Sequence, residues 1–284
     1  MGISRAAVHY MMTEAKKVPF TGRVLTLGVQ QTTVSESDLA KLSDRLQYPL
    51  AEVDDSETPK FDRHQHLTDV YLFKSLGFDE VLRTDFSDFQ GAELVFDLNQ
   101  SGVPEQYQGY FDLLIDGGTT EHVFHLPNSL HNIFSFLKVG GRVMHFNPSS
   151  NHVDHGFYMF SPTLFWDYYE ANGFEFNSFK FFEYNKWGNI QRWIAADYEP
   201  GCLRYVSGGG LPGGQYGIAL TATKLEGSTS GVVPQQHRYK KTWERTKKRK
   251  VHKSLLAYRF KKRAARIWKR YRLRGFPLRV ANRY

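Results

Sequence analysis

Five short apolar runs in the first half of the chain each end on a small or polar residue: Gly28, Asp85, Asp97, Asp116 and Asn147. Carboxylates and amides at such ends offer strong hydrogen-bond acceptors. A glycine there lets the backbone approach a ligand closely. Lined up along one edge of a sheet, these residues would make a site for a polar ligand. A second set of residues has the chemistry of proton transfer. Glu121 and His122 follow Asp116-Gly117-Gly118, and Asn151, His152, Asp154, His155 and Tyr158 cluster further along. A neutral imidazole accepts a proton near pH 7, so His122, or His155 oriented by Asp154, is a candidate catalytic base. Both histidines also have structural readings, as side chains bonded in a turn or loop. His125, His145, His152 and His155 match no recognised metal-ligand spacing, so no metal is expected. The single cysteine, Cys202, rules out an intrachain disulfide and a cysteine-based zinc site.

The elements that must hold these residues are legible from spacing. Residues 4–16 have a loose helical face ending at Pro19 and Gly22. Strands are expected at 23–27, 80–84, 92–96, 111–115 and 142–146. Helices are expected at 35–46, where Ser35 and Asp38 stand in capping-box register, and at 67–76 and 130–137. Pro162 opens a further helix at 161–171. Segments 174–184 and 217–225 alternate as strands do. Between them, 201–214 is glycine-rich but lacks the Lys-Ser/Thr ending of a phosphate-gripping loop. Strand and helix in alternation, with polar residues at the strands' carboxyl ends, imply an α/β chain built on a parallel sheet. Ligands bind such sheets outside those ends.

The segments VLTLG at 24–28, FDLN at 96–99, FDLLIDGG at 111–118, EHVF at 121–124 and FLKVGGRVMHF at 136–146 resemble a class I S-adenosylmethionine-dependent methyltransferase over roughly residues 20–225. The resemblance implies a Rossmann-like methyltransferase fold. That is a central, mostly parallel sheet with a final antiparallel strand and helices on both faces, here with a basic C-terminal helical extension. It implies S-adenosylmethionine as cofactor, held by Leu27, Gly28, Gln30, Asp85, Asp97, Leu98, Asp116 and Gly117. In that scheme Asp85 meets the ribose, with Asp88 as its rival, Asp97 meets the adenine amino group and Leu98 covers the ring. His122, His155 and Asp154 are the catalytic candidates. The aromatic run Tyr158, Phe160, Phe165, Trp166, Tyr168 and Tyr169 supplies candidates for the acceptor pocket. The chain departs from the family pattern after Gly28, continuing Val-Gln-Gln where further glycines are usual. The implied reaction is methyl transfer to a hydroxyl of a small molecule or saccharide. The alternative is a catalytically inactive module on the same fold, binding protein, nucleic acid or an anionic membrane. A nicotinamide dehydrogenase would need a complete Gly-x-Gly-x-x-Gly turn, which is absent.

Charge divides the chain. Residues 240–284 hold 19 Lys or Arg and one acid, Glu244, whereas residues 1–239 hold 18 basic and 28 acidic residues. The expected organisation is an N-terminal helix at 1–20, a methyltransferase-like domain at 21–226, a linker at 227–239 and the basic extension at 240–284. Within the extension, Leu256, Phe260, Ala264, Ile267 and Tyr271 repeat at helical spacing beside Trp268. A cationic amphipathic helix suits an anionic membrane surface or an acidic protein face. Nucleic acid, which also attracts clustered positive charge, ranks lower. No run is long and apolar enough to span a bilayer. The expected location is cytoplasmic, with peripheral attachment at the inner membrane surface.

Overall fold

The computed structural model describes residues 2–56, 58–184, 192–248 and 282–283. Its strands are β1 (Arg23–Leu27), β2 (Glu80–Asp85), β3 (Leu94–Val95), β4 (Phe111–Asp116), β5 (Leu137–Ser150), β6 (Glu175–Tyr184), β7 (Ile194–Asp197), β8 (Gln215–Thr223) and β9 (Asn282–Arg283). Its helices are α1 (Arg5–Ala15), α2 (Glu36–Leu46), α3 (Asp69–Ser75), α4 (Leu126–Phe136), α5 (Pro162–Ala171) and α6 (His237–Lys248). The strands form one sheet in the order β3-β2-β1-β4-β5-β8-β6-β7-β9. From β3 to β5 every pairing is parallel, and from β5 outward every pairing is antiparallel. The expected antiparallel strand is β8, which enters between β5 and β6. The short strands β7 and β9, which follow β6 in the sheet, differ from the sequence reading. Neither has enough apolar sequence to stand out from a loop.

Strands buried on both faces read as continuous apolar runs because alternate residues serve two cores. Val24, Leu113, Ile115, Met144 and Phe146 belong to one core, with Met11 and Met12 of α1, Leu39 and Leu42 of α2, and Leu72 and Phe73 of α3. Leu25, Leu27, Leu114 and Val143 belong to the other, with Leu130, Ile133 and Phe136 of α4 and Phe165 and Tyr169 of α5. Burying a side chain of this size stabilises the fold by about 2 kcal/mol, so each strand contributes to both layers. α1 has no outward polar face: nine of its residues are buried, including His9 and Glu14.

Local chemistry sets the helix ends. Ser35 caps α2, and Asp38 completes the capping box despite the usual preference for Glu or Gln. Thr68 caps α3 by accepting from the Tyr71 amide. Boundaries around β5 differ from expectation: α4 begins at Leu126 and not at 130, and β5 runs to Ser150, so Asn147 lies inside the strand, paired with Ile218, and does not mark its end. α4 stops at Phe136, and β5 begins at Leu137 and takes in Gly140-Gly141. The glycine pair is part of the ladder because Gly140 donates to the Lys224 carbonyl at 2.8 Å and Lys224 donates to Gly141 at 2.9 Å. Of the basic extension, only 240–248, within α6, and 282–283 are described. The apolar stripe from Leu256 to Tyr271, with Trp268, lies outside the described residues. Among the described residues, no helix is long and apolar enough to cross a membrane.

Candidate active site

The parallel half of the sheet brings its carboxyl ends into register. Leu27 pairs with Thr84 on one side and Asp116 on the other, and Asp85 pairs with Val95. Gly28 then donates its amide to the Thr84 carbonyl at 2.6 Å, and Phe96 donates to Asp85 at 2.8 Å. Gly28, Asp85 and Asp97 therefore stand along one edge, as the sequence suggested. Gly28 has φ +78°, a conformation that side-chain-bearing residues avoid, and a Cβ there would lie 3.1 Å from Thr119 Oγ1 and 3.8 Å from Asp85 Oδ2. Asp85 Oδ1 accepts from the Phe86 amide at 2.7 Å. Asp97 Oδ1 accepts from both the amide and side chain of Asn99 at 2.9 Å, so it also shapes its own turn. Those bonds hold the Asp97 carboxyl below its ordinary pKa.

The other expected contact residues lie behind this edge. Leu27, Gln30, Leu98, Asp116 and Gly117 are all buried. The Leu27 carbonyl is taken by Gln30 Nε2 and Thr119 Oγ1. Gln30 turns inward and fills the space over Gly117, where a Cβ would sit 2.1 Å from Gln30 Oε1. Leu98 packs in the α4-side core.

The Asp116 expectation requires correction. Its side chain has 0% exposure and offers nothing to a ligand. Its Oδ1 accepts from the Thr119 amide at 2.9 Å and the Thr120 amide at 3.2 Å. Its Oδ2 meets Thr120 Oγ1 at 2.6 Å, His145 Nδ1 at 2.8 Å and Asn147 Nδ2 at 3.0 Å. Burial alone would raise this carboxyl, but the His145 bond and charge outweigh it and bring the pKa down to about 2. His145 in turn meets the Tyr169 hydroxyl through Nε2 at 2.6 Å. Asp116 is thus a positioning residue for the turn that follows it.

That turn carries the second half of the site. Glu121 is fully buried, with its Oε1 3.5 Å from His155 Nε2 and 4.0 Å from His122 Nε2. The two imidazole centroids are 5.0 Å apart, and His122 and His155 are 47% and 37% exposed. Glu121 Oε2 accepts from Asn147 Nδ2 at 3.1 Å, while Oε1 has no hydrogen-bond partner. Desolvation, reinforced by the nearby Asp116 charge, pushes the Glu121 carboxyl up to about 7. Burial lowers both His122 and His155, favouring their neutral forms. His155 is therefore paired with Glu121 and not with Asp154. Asp154 sits exposed at φ +67°, and among the described residues no ion pair joins it to His155. Glu121 is the residue that sequence reasoning undervalued. The available signal was an acid next to His122 and directly after the strand-end turn.

The expected aromatic lining also shifts. Phe160, Phe165, Tyr168 and Tyr169 are core residues, and Trp166 stacks on Phe176 at 4.5 Å. Phe124 and Phe157 instead stand exposed with centroids 5.7 Å apart, each two residues beyond His122 or His155.

Five parallel strands in the order β3-β2-β1-β4-β5, then a reversed β8 inserted ahead of β6, define the architecture. This is the Rossmann-like methyltransferase fold. No protein-family model matches the sequence, and no curated protein does. Solved structures with low similarity include a 1,6-didemethyltoxoflavin-N1-methyltransferase from Burkholderia thailandensis, at 13% identity over 78% of this chain and 80% of that one, TM-score 0.38. A SAM-dependent methyltransferase from Archaeoglobus fulgidus aligns at 15% identity over 78% and 95% of the two chains, TM-score 0.40. A possible histamine N-methyltransferase from Thermotoga maritima aligns at 16% identity over 76% and 91%, TM-score 0.35. Strand order alone defines this fold.

Proposed function

We propose that this chain transfers the methyl group of S-adenosylmethionine to a hydroxyl of a small molecule or saccharide. The observation that carries the reading is the turn from Thr119 to His122. Its first residue packs against Gly28 on the strand-end edge, and its last two belong to the Glu121–His122–His155 cluster. A ligand laid along Gly28, Asp85 and Asp97 would thus end beside a group of proton acceptors. The half-buried edge suits an adenosine: Gly28 leaves room that a Cβ would fill, and Asp85 keeps Oδ2 beside that turn for a ribose hydroxyl.

The bound cofactor supplies an electrophilic methyl on a sulfonium. The protein's part is to align the acceptor and take its proton. A hydroxyl needs a base more than an amine does. His122 and His155 are held neutral by burial, and Glu121 titrates near pH 7. His155 or His122, each within 4.0 Å of Glu121 Oε1, takes the proton, and the other stays within ring contact to share the charge. Phe124 and Phe157 give the acceptor an apolar wall. Residues 240–284 hold the enzyme at an anionic membrane surface through their dense positive charge.

Calorimetry tests the cofactor half of the proposal. Heat of 1:1 binding with S-adenosylmethionine and S-adenosylhomocysteine is expected. No heat with either would overturn the reading in favour of a non-catalytic module. Transfer of labelled methyl to a panel of hydroxyl and amine acceptors tests the substrate half.

A further inference from the structure

We infer that Glu121 Oε1, His122 Nε2 and His155 Nε2 bind one divalent first-row metal ion, with Zn²⁺ the best-matched probe. One ligand atom from each of the three residues lies within 4.8 Å of the others. Four-coordinate zinc with bonds of about 2.1 Å places its ligands about 3.4 Å apart. The His155–Glu121 separation of 3.5 Å already meets that, and the His122–Glu121 separation of 4.0 Å needs only a small side-chain rotation.

An independent observation points the same way. Glu121 is fully buried, yet its Oε1 has no hydrogen-bond partner. An unpartnered buried carboxylate oxygen costs stability unless something neutralises it, and a divalent cation between it and two imidazoles does so. The donor set of two imidazoles and one carboxylate is that of zinc and related ions with positions left open for another ligand.

The surroundings hold these three donors in place. Asn147 Nδ2 fixes Glu121 Oε2 and leaves Oε1 toward the imidazoles, as outer partners of metal-bound carboxylates do. Gly156 lets the loop close on the cluster: a Cβ there would sit 2.9 Å from the Glu121 carbonyl and 3.1 Å from His122 Nδ1. His152, whose Nε2 meets the Tyr184 hydroxyl at 3.1 Å, packs its ring 5.7 Å from that of His155. Partial exposure of both ligand histidines leaves the ion's remaining positions open to solvent. The metal site stands on its own ligands. With the ion bound, Nε2 of both histidines is engaged, so the ion would take over the task given above to a free imidazole: its open position would receive the acceptor's oxygen and raise its acidity, a role that rests on the methyl-transfer reading.

The test uses the full chain, stripped with chelator and titrated with ZnCl₂ by calorimetry, with metal analysis after dialysis. One Zn²⁺ per chain is expected in His237→Ala, which removes a donor from the second such cluster, Asp167–Glu170–His237. His155→Ala and His122→Ala should each weaken binding about tenfold or more while keeping the wild-type melting temperature without metal. His237→Ala is also the control and should leave this binding unchanged. Absence of 1:1 binding, or full retention of it in both His122→Ala and His155→Ala, overturns the inference. S-adenosylhomocysteine binding measured on the same samples reports separately on the Gly28 edge, so failure of one reading does not mask the other.

Discussion

Replacing Glu121 by Gln should change how stability depends on pH in the metal-free protein. Glu121 titrates at about 7 in the folded chain, against 4.5 as its ordinary value. Between those values the folded state binds the extra proton, so stability falls as pH rises, and the cost is fully present above pH 7. That difference corresponds to about 3 kcal/mol, most of which develops between pH 5 and pH 8. Gln has the same shape, can still accept from Asn147 and does not ionise. Glu121→Gln should therefore match the wild type near pH 5 and exceed it by about 2 kcal/mol at pH 8. Other groups shape the absolute curve. His9, buried on α1, is held down to about 4, so its contribution is lost as pH falls from 6.5 toward 4. The facing groups Asp116, His122 and His155 titrate too, which is why the difference between variant and wild type is the quantity to measure. Urea unfolding at pH 5, 6, 7 and 8 with chelator present gives it directly. A difference that stays constant across that range would refute the claim that a buried, uncompensated carboxyl sits at the centre of this site.

Other perturbations separate the parts of the site. Asp116→Asn places an amide among five donors and should destabilise the chain by about 3 kcal/mol or more, read as a lowered melting temperature. In the wild type this group's contribution is present above about pH 4 and lost on acidification toward pH 2, visible in an acid-unfolding curve. Gly28→Ala forces a Cβ into left-handed backbone beside Thr119, with a cost of about 1–2 kcal/mol, and should also reduce the calorimetric heat with S-adenosylhomocysteine. A chain ending at Tyr239 should keep that heat but lose sedimentation with phosphatidylserine vesicles; loss of RNA binding without loss of vesicle binding would contradict the proposed membrane attachment.

The strands were legible because a sheet buried on both faces writes itself as short apolar runs, and Val24 and Leu25 facing separate cores is the pattern itself. The common edge of Gly28, Asp85 and Asp97 followed from that reading. The division between edge and interior did not. Asp85 and Asp116 look alike in sequence, each the last residue of a strand. Their fates diverge because β4 lies between β1 and β5, where His145 and Asn147 wait, whereas β2 has only the two-residue β3 beyond it. Likewise, Asp154 is adjacent to His155 in sequence, but φ +67° at Asp154 marks a turn of the chain there. His155 instead meets an acid 34 positions earlier. Contacts of that span are decided by topology, which periodicity alone does not report.

One buried carboxylate ties the two halves of the site together. Asp116 bonds the amides of Thr119 and Thr120, its Oδ2 meets Asn147, and Asn147 holds Glu121. Thr119 meanwhile anchors to the Leu27 carbonyl and packs against Gly28. The distance between the ligand edge and the Glu121–His122–His155 cluster is therefore set by buried hydrogen bonds between neighbouring strands and not by a mobile loop. The proposed methyl transfer would need the acceptor held in line with the methyl group, and a turn fixed in this way would provide that constraint. On this account Thr120→Val, which removes the hydroxyl that meets both Asp116 and Asn147, should lower kcat more than it raises the KM for either substrate. The reverse pattern would show that the turn shapes binding alone.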